Sequence, residues 1–305
     1  MFYKYFFFLL LPLFVSACQP EKKTPKTVVV KTLEPIATAD VDSIDVNEKL
    51  SKGKLFMIGG GDRPLSMMET MVRSAEVDTN DFIAVLTMAN LNPDSAFQEV
   101  NQQFLKLGYN HAVHLNITKM FANNPQLADS LLAAKLIFIT GGDQNLFMQQ
   151  VEQSLVKDAL LEAYNGGATI AGTSAGAAVV CKTMLTGNQK YSEIYNDQYT
   201  KIWNENALTS SGMGFIDHVI IDQHFITQSG YNRLITAMAE NPKNIGIGID
   251  EKTALLIYQN TATVVGESQV IIFHPATSYS TSSVLVGLRN LKMDMYTPNQ
   301  TFKIE

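Results

Sequence analysis

The chain has 305 residues, enough for one large domain or two small ones. Hydrophobic residues make up 46% and charged residues 17%, so a sizeable core can form and wholesale disorder is excluded. With 23 basic against 29 acidic residues the net charge is −6, and no run of Lys and Arg carries interleaved aromatics, which argues against nucleic acid as the main partner.

The first twenty residues read MFYKYFFFLLLPLFVSACQP. Lys4 is a minimal basic region, and Phe6 to Val15 is an apolar run too short for a bilayer, which takes about 20 residues. The segment reads as an export signal. Val15-Ser16-Ala17-Cys18 resembles a bacterial lipobox. That resemblance implies removal of residues 1–17, a lipid on the Cys18 thiol, and anchoring to a membrane of the cell envelope on its periplasmic or surface side. Cys181 is the one other cysteine, so with Cys18 acylated no disulfide can form within the chain. Residues 18–50 are polar, with Pro20, Pro25 and Pro35, and read as a tether. Within them TVVV at 27–30 is a candidate edge strand.

From residue 51 to 305 the pattern is that of one folded domain. KLFMIGGGD (54–62) predicts a buried strand and a glycine turn. PLSMMETMVRSAE (64–76) predicts a helix with Pro in its first turn. FIAVLTMA (82–89) reads as a strand, 93–108 as a helix closed by Gly, AVHLNI (112–117) as a strand and 125–134 as a helix. KLIFITGGD (135–143) is a strand with a turn, 144–164 a helix, and GATIAGTSAG (167–176) a strand running into a helix. Short continuous apolar strands alternating with helices imply an α/β fold: an open, mostly parallel sheet with helices on both faces. Residues 184–212 break the rhythm. They are polar and aromatic, hold the single Trp203, and read as a functional loop. HVIIDQHF (218–225) is a strand, YNRLITAMAE (231–240) a helix, and NIGIGIDEKTALLIY (244–258) a strand with a turn. TATVVGE, SQVIIFH and SSVLVGL close the domain as antiparallel strands.

Gly172-Thr173-Ser174-Ala175-Gly176 follows the pattern G-x-S-x-G between a predicted strand and a predicted helix. That pattern makes a sharp turn whose flanking residues must be small, and it projects the Ser hydroxyl into a cleft. Ser174 is therefore a candidate nucleophile, with the N–H of Ala175 and the helix dipole facing developing negative charge. Among the five histidines, His224 ends a buried strand in DQHF, the edge where open parallel sheets place their sites. Asp222 shares its strand face. Glu251 and Asp250 end the strand IGIGI at the same edge. A rival reading, an α/β-hydrolase esterase, takes Ser174, Asp250 and His274 in that fold's chain order, with the IGGGD turn imitating its oxyanion loop. No zinc spacing, G-x-G-x-x-G or P-loop occurs, so neither metal nor cofactor is expected.

Four motifs in order, TGGDQ (140–144), AGTSAGA, DQHF and GIGIDEKTAL (246–255), resemble the cyanophycinase group of serine peptidases, related to dipeptidase E. The resemblance spans roughly residues 53–275. It implies a fold like that of class I glutamine amidotransferases and hydrolysis of an amide bond in a peptide, through an acyl-enzyme. By position it implies Ser174 as nucleophile, His224 as general base and Glu251 as the residue orienting His224. Gly142 and Ala175 would supply oxyanion N–H groups, and Gln144, Asp222, Gln223 and Arg233 would line the substrate pocket. Oligomeric state stays open, a homodimer being one option. The family continues D-Q-H-F-x-x-R-x-R-x-x-R-L, whereas this chain has Gln228 and Gly230 at the first two of those arginines and keeps Arg233. Arg grips carboxylates in a bidentate fork. The losses leave the substrate open, with cyanophycin, a polymer of β-linked Asp-Arg dipeptides, one choice. They also keep alive a third reading, a surface binding protein that retains the fold without activity.

Overall fold

The computed structural model describes residues 29–32, 51–192, 199–282 and 284–304. The export signal, Cys18 and most of the tether lie outside them. In chain order the first half comprises β1 (Val29–Thr32), β2 (Lys54–Ile58), α1 (Leu65–Ser74), β3 (Ile83–Leu86), α2 (Pro93–Lys106), β4 (Ala112–Leu115), α3 (Pro125–Leu132), β5 (Leu136–Ile139), α4 (Gln144–Val151), α5 (Leu155–Gly166), β6 (Thr169–Thr173) and α6 (Ala175–Ala178). The second half comprises β7 (Thr183–Gln189), β8 (Ala207–Ser211), β9 (Val219–Gln223), α7 (Tyr231–Glu240), β10 (Ile245–Ile249), β11 (Thr253–Tyr258), β12 (Thr261–Gly266), β13 (Val270–Phe273), β14 (Ser278–Ser282), β15 (Leu285–Arg289), β16 (Met293–Tyr296) and β17 (Thr301–Lys303).

The main sheet has eight strands in the order β17-β12-β11-β2-β6-β5-β3-β4. β2, β6, β5, β3 and β4 are parallel, and β11, β12 and β17 extend the sheet antiparallel. Strand alternation divides its apolar residues between two layers. Phe56, Ile58, Val85 and Phe138 pack under Met67, Met68 and Met71 of α1 and Val100 and Phe104 of α2. Leu55, Met57, Ile137, Ile139 and Ile170 face α3, α4 and α5 on the other side. The expected α/β architecture with antiparallel C-terminal strands is thus the observed one.

Three details differ from the sequence reading. The helix expected over 144–164 is two helices, because Ser154 caps a fresh one by accepting the Lys157 N–H at 3.3 Å, next to Gln153 at φ 58°. The ends of the expected loop at 184–212 are strands, β7 paired antiparallel with β8. The strands DQHF and IGIGI do not join the main sheet: β9 and β10 pair in parallel within a second sheet of order β16-β13-β10-β9. One face of that sheet (Val219, Ile221, Ile247) shares the core of the main sheet's second layer. Its other face (Ile220, Ile271, Phe273) carries α7 through Leu234 and Met238. Gly246 permits this, since a Cβ there would lie 2.5 Å from Met238 Sδ and 3.1 Å from Leu234 Cγ. The candidate edge strand is β1, overlapping TVVV at Val29 and Val30 and paired with β14 in a three-stranded sheet β1-β14-β15.

Candidate active site

β6 ends at Thr173 and the chain turns into α6 through Ser174, which sits at φ 52° and ψ −116°. A residue with a side chain holds positive φ there only when its surroundings enforce it. They do so by close packing. A Cβ on Gly172 would fall 2.9 Å from the Ala177 nitrogen, and one on Gly176 would fall 2.9 Å from the Ile139 carbonyl carbon. Larger neighbours would force the elbow open. α6 is a single turn, so the electrostatic help expected from a helix dipole reduces to its own N–H groups.

His224 comes from the end of β9 and Glu251 from the corner between β10 and β11. The Ser174 hydroxyl lies 2.8 Å from His224 Nε2, and His224 Nδ1 lies 2.7 Å from Glu251 Oε1. With Nδ1–H donating to the carboxylate, Nε2 is left to accept from Ser174. The imidazole and the carboxylate are 20% and 29% exposed, sheltered yet reachable from the cleft.

One turn braces the three groups. The Ile58 carbonyl accepts the Ser174 N–H at 3.0 Å, the Gly59 carbonyl accepts the His224 N–H at 2.7 Å, and the Gly60 carbonyl accepts the Lys252 N–H at 3.0 Å, one residue past Glu251. The IGGGD turn therefore braces the site through its carbonyls. Sequence reasoning passed over this role, for which consecutive glycines at a strand end were the available signal.

The rival triad is not assembled. His274 Nε2 pairs with Asp294 at 2.7 Å. Asp250 accepts the N–H groups of Ile226 and Thr227 and the hydroxyl of Ser268, which holds the segment after His224 in place. These bonds hold the Asp250 carboxyl below its ordinary range against the burial that would raise it.

The remaining expected residues surround a cleft of about 410 Å³ that includes Ser174, His224, Gly142, Gln144, Asp222, Gln223, Gln228 and Arg233, walled by Leu185–Asn188 of β7. Gly142 is exposed, at φ 139°, on the turn before α4. Ala175 is buried as the first residue of α6. Gln144 is buried and donates to the Leu185 carbonyl at 3.0 Å, tying α4 to the hairpin. Gln223 keeps its Oε1 buried with no hydrogen-bond partner among the described residues.

Arg233 lines this cleft and is engaged by Asp222. Its Nε and Nη2 reach both oxygens of Asp222 at 2.6–3.0 Å, and Nη2 also donates to the Gln223 carbonyl at 3.3 Å. Both side chains are buried, so Asp222 and Arg233 engage each other and shape the cleft floor. Burial pushes the Asp222 carboxyl up, and the guanidinium opposes that push. Position 230 has no room for an arginine without rearrangement, since a Cβ on Gly230 would lie 2.9 Å from Asp222 Oδ2.

The model of peptidase family S51 matches residues 82–265. This chain belongs to peptidase family S51. It is 35% identical over 164 residues to a cyanophycinase of Trichormus variabilis, a match covering 53% of this chain and 52% of that protein. The chain thus spans about half the length of that relative. A cyanophycinase of Synechococcus elongatus is 27% identical over 230 residues, covering 73% of this chain and 69% of the relative. The fold matches the crystal structure of a peptidase from an acI-B1 Actinobacterium with a TM-score of 0.61 at 21% identity, over 83% of this chain and 97% of that one. The resemblance carried by the four motifs is therefore a family membership for this S51 chain. Among the described residues no His/Cys/Asp/Glu group could hold a metal ion, and no helix is long and apolar enough to cross a membrane.

Proposed function

We propose that this protein is a serine peptidase that hydrolyses an amide bond through an acyl-enzyme. The observation that carries the reading is the continuous relay from Ser174 Oγ to His224 Nε2 and from His224 Nδ1 to Glu251. Ser174 attacks the carbonyl carbon while His224 takes its proton. Glu251 fixes the imidazole tautomer and stabilises the imidazolium. The N–H groups of Gly142 and Ala175 receive the oxyanion. His224 then gives the proton to the leaving amine, and a water repeats the sequence on the ester. The favoured substrate is a peptide with a β-aspartyl bond. Cyanophycin fits this cleft less well, because Gln228 and Gly230 replace cationic positions and Arg233 is held by Asp222.

A fluorophosphonate probe should label the wild type and leave Ser174→Ala unlabelled, and a panel of α- and β-aspartyl peptides should yield at least one substrate. Absence of labelling in the wild type would favour a binding role for the fold instead. The location follows from VSAC: a lipid on Cys18 holds the domain at the cell envelope. Cys18→Ser should release the protein from membranes or block its processing, and unchanged mass and membrane association would refute the anchor.

A further inference from the structure

A second pocket, of about 250 Å³, also reaches Ser174 and His224 and is lined in addition by residues outside the glutamine-lined cleft. Its size suits one amino-acid residue. Arg63, Glu99, Asn90 and Thr140 line it together with Gly60 and Gly61. Thr140 is 4% exposed, and its Oγ1 is buried without a hydrogen-bond partner among the described residues. An unpaired buried hydroxyl is costly and marks a place where a ligand or water completes the bonding. Arg63 is a cation only 10% exposed, and its orientation is fixed twice: its Nε donates to Gln103 Oε1 at 2.8 Å, and Gln103 Nε2 donates to the Arg63 carbonyl at 2.9 Å. The guanidinium also pairs with Glu99, whose carboxylate is 71% exposed. A partly buried cation whose carboxylate partner sits on the exposed rim can exchange that partner for another carboxylate, because a solvated carboxylate holds a cation only weakly.

We infer that this pocket holds the leaving residue of the substrate and that Arg63 selects a free α-carboxylate on it, with the Thr140 hydroxyl as an additional hydrogen-bond donor. Arg63 is thus a specificity determinant, and the substrate ends one residue beyond the scissile bond. This inference rests on the serine-peptidase reading above. Glu99 is the competitor that any such carboxylate displaces.

The test uses the full chain and four probes: α- and β-aspartyl-alanine, each as the free acid and as the C-terminal amide. Two readouts serve each probe, its hydrolysis and its protection of Ser174 from the fluorophosphonate. The wild type should favour the acid over the amide by roughly 10–100-fold, the range for a charge-assisted bidentate contact. Arg63→Gln should abolish that ratio, and a ratio unchanged from the wild type would overturn the assignment. Glu99→Gln keeps the cation and removes its competitor, so it should raise the ratio, and it serves also if Arg63→Gln fails to fold. Equal handling of acid and amide by the wild type, or an unchanged or lowered ratio in Glu99→Gln, would overturn the assignment while Ser174 still labels. A wild type that does not label at all would instead remove the peptidase reading on which it rests.

Discussion

Gly60 leaves the space that His224 occupies: a Cβ on Gly60 would stand 2.5 Å from the Nε2 that faces Ser174. The same residue adopts φ 113°, a backbone region that side chains resist. Gly60→Ala should therefore push the imidazole off line while leaving the elbow intact. Misplacement of a reacting group by about 1 Å costs on the order of 100-fold in rate. Fluorophosphonate labelling of Gly60→Ala should slow by at least that order, and a rate within threefold of wild type would show that the ring has room to shift harmlessly.

The three groups of the relay should fail as a unit. Ser174→Ala and His224→Ala should each remove most of the turnover, and the double variant should be no slower than the worse single one, since residues acting together lose non-additively. Glu251→Gln should be milder or comparable, because it spoils tautomer and charge but spares the base. His274→Ala should keep wild-type kcat/KM, its partner being Asp294 on β16. Multiplying losses in the double variant, or a dead His274→Ala, would argue for a different base.

Arg233 and Asp222 predict a stability effect larger than a surface charge could give. Removing one member of a buried, hydrogen-bonded pair costs about 3–5 kcal/mol, because the other charge is stranded. Arg233→Gln should lower the unfolding free energy obtained from denaturant titration by that much. A change below about 1 kcal/mol would mean that the guanidinium is free for substrate after all.

Glu240, at the end of α7, supplies a pH dependence. Burial raises its carboxyl from the ordinary value of 4.5 to about 7, against the N–H groups of Ala207 and Glu205, and its Oε1 has no hydrogen-bond partner among the described residues. The folded state then keeps a proton that the unfolded chain releases above pH about 4.5. Stability from this group is full below that pH, falls as pH rises to about 7, and is lost above it, a change on the order of 1–2 kcal/mol once solvent screening of the half-buried carboxylate is allowed for. Glu240→Gln should flatten the Tm profile between about pH 5 and 7.5. An identical slope in the variant would assign the dependence elsewhere.

Ser174 was legible from its turn pattern, and His224 and Glu251 from their places at strand ends, but choosing them over His274 and Asp250 rested on the resemblance carried by DQHF and GIGIDEKTAL. The ion pair of Arg233 was not legible for a different reason. Its partner lies 11 residues earlier on another element, and sequence does not say whether a helix cation faces solvent, substrate or a buried Asp. The second sheet was hidden likewise: VIID and IGIGI are apolar throughout, and a strand buried on both faces reads the same in either sheet. The hairpin at 183–211 escaped notice because its strands are polar and half-exposed, with a register shift between Leu185 and Gln189. Arg63 carried no signal of its own, being one charge after a glycine turn.

Ser174 belongs to the eight-stranded sheet, His224 to the four-stranded one, and Glu251 to the corner where the chain crosses between them. Catalytic alignment is thus a property of how the two sheets dock, held at the joint by three consecutive carbonyls. A small slippage of one sheet against the other would silence the enzyme while nearly all its secondary structure survived. On warming, activity should fade before far-ultraviolet ellipticity does, so the rate itself becomes a gauge of the seam between the sheets.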